Sequence, residues 1–120
     1  MIKKIFIIAV LAVAVLSGCS RPEPNETAAM LEQQAKAGNA EAMYSLFLVT
    51  YMDAKRYPLT DAERKRGLEW LEKAAKLGNW RAAFTLAEAY KHGTFGYPKS
   101  QKDEVYWRDI YETNRPKTAA

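Results

Sequence analysis

The chain repeats itself, and the repeat limits what it can fold into. Ala35-Lys36-Ala37-Gly38-Asn39 returns as Ala75-Lys76-Leu77-Gly78-Asn79, 40 residues later. At the same offset Ala42, Tyr44 and Leu46 return as Ala82, Phe84 and Leu86, and Tyr57-Pro58-Leu59-Thr60 returns as Tyr97-Pro98-Lys99-Ser100. Trp70 returns as Trp107 at an offset of 37, so the second copy is shorter by three residues between its capping site and its tryptophan. A period of this length marks a unit that buries its apolar face only against a neighbouring copy.

Each copy reads as two antiparallel helices. Gly38 and Gly78 suit the left-handed position that closes a helix, and Asn39 and Asn79 suit the N-cap of the next. Thr60-Asp61-Ala62-Glu63 is a capping box, which Ser100 and Asp103 imitate. Ala42, Leu46 and Val49 recur at helical spacing, as do Ala82, Leu86 and Ala89, and Leu68, Leu71 and Ala75. No stretch alternates cleanly at period two. The pattern predicts five helices, near 26–37, 40–53, 61–77, 80–92 and 101–113. Ala42, Ala74, Ala75 and Ala82 would let helices approach closely, with Trp70 and Trp107 filling the wider gaps between pairs.

These residues resemble the Sel-one-like repeat family, a relative of the tetratricopeptide repeat. Gly78, Ala82, Leu86, Tyr90 and Gly93 match the first half of its unit, and Trp70, Ala74, Ala75 and Gly78 match the second half. Phe47 and Ala87 stand where that pattern has Gly, Thr50 where it has Tyr, and Gly67 where it has Ala. The resemblance covers about residues 28–112. It implies an all-α fold, a short right-handed solenoid of helix pairs, with about five helices here. Its terminal unit would carry an atypical outer face.

The N-terminus has the layout of a secretory leader. Lys3 and Lys4 precede an unbroken apolar run from Ile5 to Val15, and Leu16-Ser17-Gly18-Cys19 follows. The uncharged stretch, Ile5 to Ser20, is shorter than the ~20 residues that span a bilayer. Leu16 to Cys19 resembles a bacterial lipobox, in which the cysteine thiol takes a diacylglycerol before cleavage. The resemblance implies removal of 1–18, lipidation at Cys19, and, with Ser20 rather than Asp next, delivery to the periplasmic face of the outer membrane. Residues 19–25 then read as a lipidated start and a proline-containing linker, 26–114 as the repeat domain, and 115–120 as a disordered tail.

Cys19 is the only cysteine, so no intrachain disulfide can form. Loss of Lys3 and Lys4 with the leader would leave a net charge of about +2, too weak to argue for a nucleic-acid partner. His92 is the only histidine and reads as an exposed helix-terminal residue, with no second ligand or nucleophile to serve. Glu69 and Glu72, each four residues before Lys73 and Lys76, read as ion pairs of a solvated face. Arg64-Lys65-Arg66 reads as a solvated basic face, with contact to anionic headgroups or an acidic partner as its functional alternative. Gly93-Thr94-Phe95-Gly96 lacks the strand and the Gly-Lys-Thr of a phosphate loop and reads as an inter-helix turn. No catalytic residue, metal site or cofactor is expected.

Two aromatic stripes lie off the Ala/Leu face: Tyr44, Phe47 and Tyr51 on one helix, Trp80 and Phe84 on its counterpart. Tyr44 and Phe84 match an aromatic place in the family pattern and are expected in the core. Phe47, Tyr51 and Trp80 are the candidates for an exposed, concave, partner-binding face. Packing against the leading helix around Met30 and Leu31 is the alternative fate of these rings. The expected function is non-catalytic capture of a protein or peptide at the membrane. An immunity or inhibitor lipoprotein acting against a periplasmic toxin or hydrolase is the alternative.

Overall fold

A computed structural model describes residues 24–53 and 58–117. All regular structure in them is helical: α1 (Pro24–Lys36), α2 (Ala40–Asp53), α3 (Asp61–Lys76), α4 (Trp80–His92) and α5 (Gln101–Asn114). There is no strand among the described residues. Helix α1 begins at Pro24, inside the segment expected to be a linker. Proline fits the first helical position because the N–H it lacks has no intrahelical partner there.

The helix ends follow local chemistry that recurs in both copies. Gly38 and Gly78 have φ of +99° and +94°. Gly38 N–H donates to Ala35 O and Asn39 N–H to Gln34 O, and the same pair of bonds forms from Gly78 to Ala75 and from Asn79 to Ala74, all at 3.0 Å. These bonds satisfy carbonyls that a helix end leaves open. The asparagine side chains then accept from the next helix, Asn39 from Ala42 N–H at 3.1 Å and Asn79 from Ala82 N–H at 3.0 Å. Thr60 accepts from Glu63 N–H at 3.1 Å and Ser100 from Asp103 N–H at 3.2 Å. Each such cap stabilises its helix by about 1 kcal/mol.

Every helix packs on its neighbour in the chain, and α3 also meets α5. The fullest contacts are α2 with α3 and α4 with α5. A single core runs through them, rich in alanine: Ala42, Ala74, Ala75, Ala82, Ala83 and Ala87 are buried. Leu71 and Leu86 are the largest side chains shut off completely. Small residues bring helix axes together, so the core gains by close backbone approach more than by side-chain bulk. Gly67 belongs to the same logic. A Cβ there would meet Thr50 Cγ2 at 3.3 Å and Tyr51 Cε2 at 3.4 Å, so α2 lies close over this point of α3.

The two tryptophans are not equivalent. Trp107 is in the core at 7% exposure, whereas Trp70 is only partly buried and packs at its margin. Trp70 instead lines an open groove between α1, α2 and α3.

Candidate interaction surface

The first aromatic stripe is largely core. Phe47 is 3% exposed, which corrects the expectation that its ring meets water. Its ring centroid lies 6.2 Å from that of Tyr44, 4.9 Å from Tyr51 and 5.5 Å, edge-on, from Phe95. Tyr51 is half-buried, with Phe95 edge-on at 5.0 Å. Its hydroxyl is enclosed without a hydrogen-bond partner among the described residues, and burial raises its pKa above the ordinary tyrosine value. The cover is therefore Phe95 from the second copy's turn. Of the leading helix, Met30 stays exposed, while Leu31 is partly buried against the core that includes Phe47.

That turn is held in place from both sides. Thr94 N–H donates to Ala89 O and Ser100 N–H to Tyr90 O. Phe95 itself has φ of +57°, a left-handed conformation that costs a bulky residue free energy. The ring's burial against Phe47 and Tyr51 offsets that cost. The sequence marks this turn by its glycines but does not say which neighbour receives the phenylalanine.

The second stripe behaves differently. Phe84, expected in the core, is 41% exposed. Its ring lies 5.1 Å from Tyr111, and Trp80, half-buried, lies 6.2 Å from the same ring. The Arg81 guanidinium sits 4.9 Å over Trp80, and that of Arg115 sits 5.9 Å from Tyr111. Each guanidinium also has a carboxylate, Arg81 with Glu41 at 2.7 Å and Arg115 with Glu112 at 2.8 Å. The result is a cluster centred on Tyr111, with Phe84 exposed and Trp80 and Tyr111 partly sheltered, flanked by charge-compensated cations. Of the three candidates only Trp80 lies here, apart from the cluster of Phe47 and Tyr51. Tyr111 is the residue sequence reasoning missed. It stands where the first copy has Ala74, and that exchange of small for large was the available signal.

Two grooves flank α3. One, about 440 Å³, runs between α1, α2 and α3 and is lined by Trp70, Leu46 and Val49, with Glu32, Glu63 and Arg66 among its polar lining residues. Arg66 pairs with Glu32, tying α3 to α1. Lys73 Nζ lies 5.2 Å from the Trp70 centroid. The other, about 410 Å³, is lined by Leu68, Glu69, Glu72 and Tyr97 together with Asp61, Arg64 and Lys65. There the Tyr97 hydroxyl donates to Glu72 at 2.7 Å. Burial first, and then this bond to a carboxylate, raise the Tyr97 pKa well above the ordinary value. Glu72 is thus turned to Tyr97 and Lys73 to Trp70, in place of the i, i+4 pairs expected from spacing.

His92 is exposed at the end of α4, its Nε2 3.2 Å from Glu88. Glu88 also accepts from Arg108 at 3.0 Å, and that hydrogen bond lowers its carboxyl pKa. Among the described residues no three His, Cys, Asp or Glu gather as metal ligands, and no helix is long and apolar enough to cross a membrane. Cys19 and the apolar run before it lie outside the described residues. Comparison with protein-family models, with curated proteins and with solved structures gives no match.

Proposed function

We propose that this chain is a lipid-anchored binding module that captures a protein or peptide at the periplasmic face of the bacterial outer membrane, without catalysing a reaction. Its helix pairs would form a short right-handed solenoid of Sel-one-like units, held near the bilayer through Cys19 and the segment after it. The observation that carries the reading is Phe84, an exposed ring that packs on Tyr111 beside Trp80, on a face rimmed by Arg81 and Arg115. Burying such a ring against a partner contributes ~1.5–3 kcal/mol, and aromatic and arginine side chains dominate protein interfaces. The rim carries both signs of charge, so a segment with apolar and charged groups suits it better than a polyanion.

A photo-crosslinking residue at position 84, introduced in intact cells, tests the surface. The expected result is one discrete adduct, lost on Tyr111→Ala while the melting temperature falls little. Absence of any adduct sinks the binding reading. The anchor is tested separately, by Cys19→Ser. That variant is expected to persist as an uncleaved precursor without labelled palmitate, and normal labelling of it refutes the anchor.

A further inference from the structure

The groove between α1, α2 and α3 is distinct from the Trp80–Phe84–Tyr111 face, and the repeat offers a guide to its chemistry. Leu68, Glu69 and Glu72 of the second groove lie 40 residues after Ala28, Ala29 and Glu32 of the first. In the second groove a phenol is in place: the Tyr97 hydroxyl donates to Glu72 at 2.7 Å. The first groove departs from this at three points. Ala28 stands where the second groove has the bulkier Leu68. Glu32, the counterpart of Glu72, is taken by Arg66. Glu63, which lines the same groove, is exposed and makes no ion pair among the described residues. The Trp70 face, sheltered in its counterpart Trp107, is left partly open. The lining is therefore apolar along Leu46, Val49 and Trp70, with one carboxylate in excess over the single guanidinium.

We propose that this groove binds a peptide segment that presents an aromatic or aliphatic side chain next to a lysine or arginine. The apolar group packs on Leu46, Val49 and Trp70, and the cation meets Glu63. Tyr97 on Glu72 shows the same pairing of an apolar body and a donor, built within the chain. A charge pair at a partly exposed site adds modest affinity, and like charges placed together oppose binding more strongly.

The test uses the full-length protein in nanodiscs and two fluorophore-labelled peptides, acetyl-Gly-Lys-Tyr-Leu-Lys-Gly-amide and the same peptide with glutamate for both lysines. Fluorescence anisotropy reads binding. The lysine peptide is expected to bind, and the glutamate peptide about tenfold more weakly or not at all. Glu63→Gln is expected to weaken the lysine peptide about threefold. Ala28→Leu, which narrows the groove, is expected to abolish binding. Should Ala28→Leu unfold, Glu63→Gln and the peptide exchange still decide. Equal binding of both peptides, no binding of either, or an unaffected Glu63→Gln overturns the proposal. Binding lost with Phe84→Ala but kept with Glu63→Gln also overturns it, because the peptide would then sit on the other face. A lysine peptide that binds only the Tyr57→Ala variant overturns it too, since the chain's own counterpart of Tyr97, outside the described residues, would be the occupant.

Discussion

The two copies of the unit carry aromatic rings on matching helices, though mostly at different positions, and give them opposite fates. On α2, Phe47 and Tyr51 are roofed by Phe95, which comes from the turn of the following copy. On α4 no later turn exists within the described residues to supply such a roof. Phe84 leans instead on Tyr111 of its own pair and keeps 41% exposure. The same contrast holds for the tryptophans, with Trp107 buried and Trp70 at the margin. A ring on a repeat helix is therefore core or surface according to what the neighbouring elements bring over it. Helix periodicity alone cannot distinguish the two.

The contrast is sharpest in stability. Phe47→Ala is expected to cost ~3–5 kcal/mol, because a buried phenylalanine leaves a cavity as well as lost transfer energy. Phe84→Ala, half in water already, is expected to cost about 1 kcal/mol or less while abolishing the crosslinked adduct. Equal losses in chemical denaturation would break the comparison. The tryptophans come next. Trp107→Ala is expected to cost ~3–5 kcal/mol and Trp70→Ala about half as much, the groove beside Trp70 already admitting solvent. A larger loss at Trp70 would mean that its groove is closed in solution.

The third test turns on pH. The half-buried Tyr97 phenol has a raised pKa in the folded chain. Its contribution is therefore complete below about pH 10, the unfolded value, and is lost as pH rises toward the folded value. Tyr97→Phe is expected to cost about 1 kcal/mol at neutral pH through the lost bond to Glu72, with a difference from wild type that shrinks above about pH 10. A constant difference at pH 8 and pH 11.5 would show that the phenol does not hold its proton through this contact. The smallest effect concerns the link between copies. Glu41 and Arg81 occupy matching positions, and the Glu41 carboxylate also accepts from Asn79 at 2.7 Å. Glu41→Gln is expected to cost ~0.2–1 kcal/mol, with most of the loss erased by salt, as for exposed ion pairs generally.

The helix ends were legible because caps are local. Asn39, Thr60, Asn79 and Ser100 each accept from an amide three residues on, so a short window of sequence contains the whole interaction. The start of α1 differs from the expected position near 26 because Pro24, assigned by its composition to the linker, opens the helix. The small-residue core was legible for a similar reason, since Ala74, Ala75 and Ala82 recur at helical spacing. The candidate surface was legible only in part. Trp80 lies on the half-open aromatic face as its spacing suggests, but the spacing puts Phe47 in water and Phe84 in the core, the reverse of what is seen. Their exposure depends on Phe95 and Tyr111, each distant in sequence and set by packing between elements. Glu72 illustrates the same limit. Its spacing from Lys76 suggested a surface pair, yet a phenol from the next copy's turn reaches it first.

The positions that are buried Leu71 and Ala75 in the first copy are Arg108 and Glu112 in the second. Arg108 is spoken for twice, by Glu88 and by Glu104. Lengthening the protein by duplication is therefore directional. A further unit appended after residue 114 would have to bury charges already committed to one another, a change that costs several kcal/mol unless those residues revert to small apolar ones. A unit inserted between residues 76 and 80 would meet alanines on α3 and an asparagine cap ready to start the next helix. Growth of such a chain is open in its middle and closed at its end.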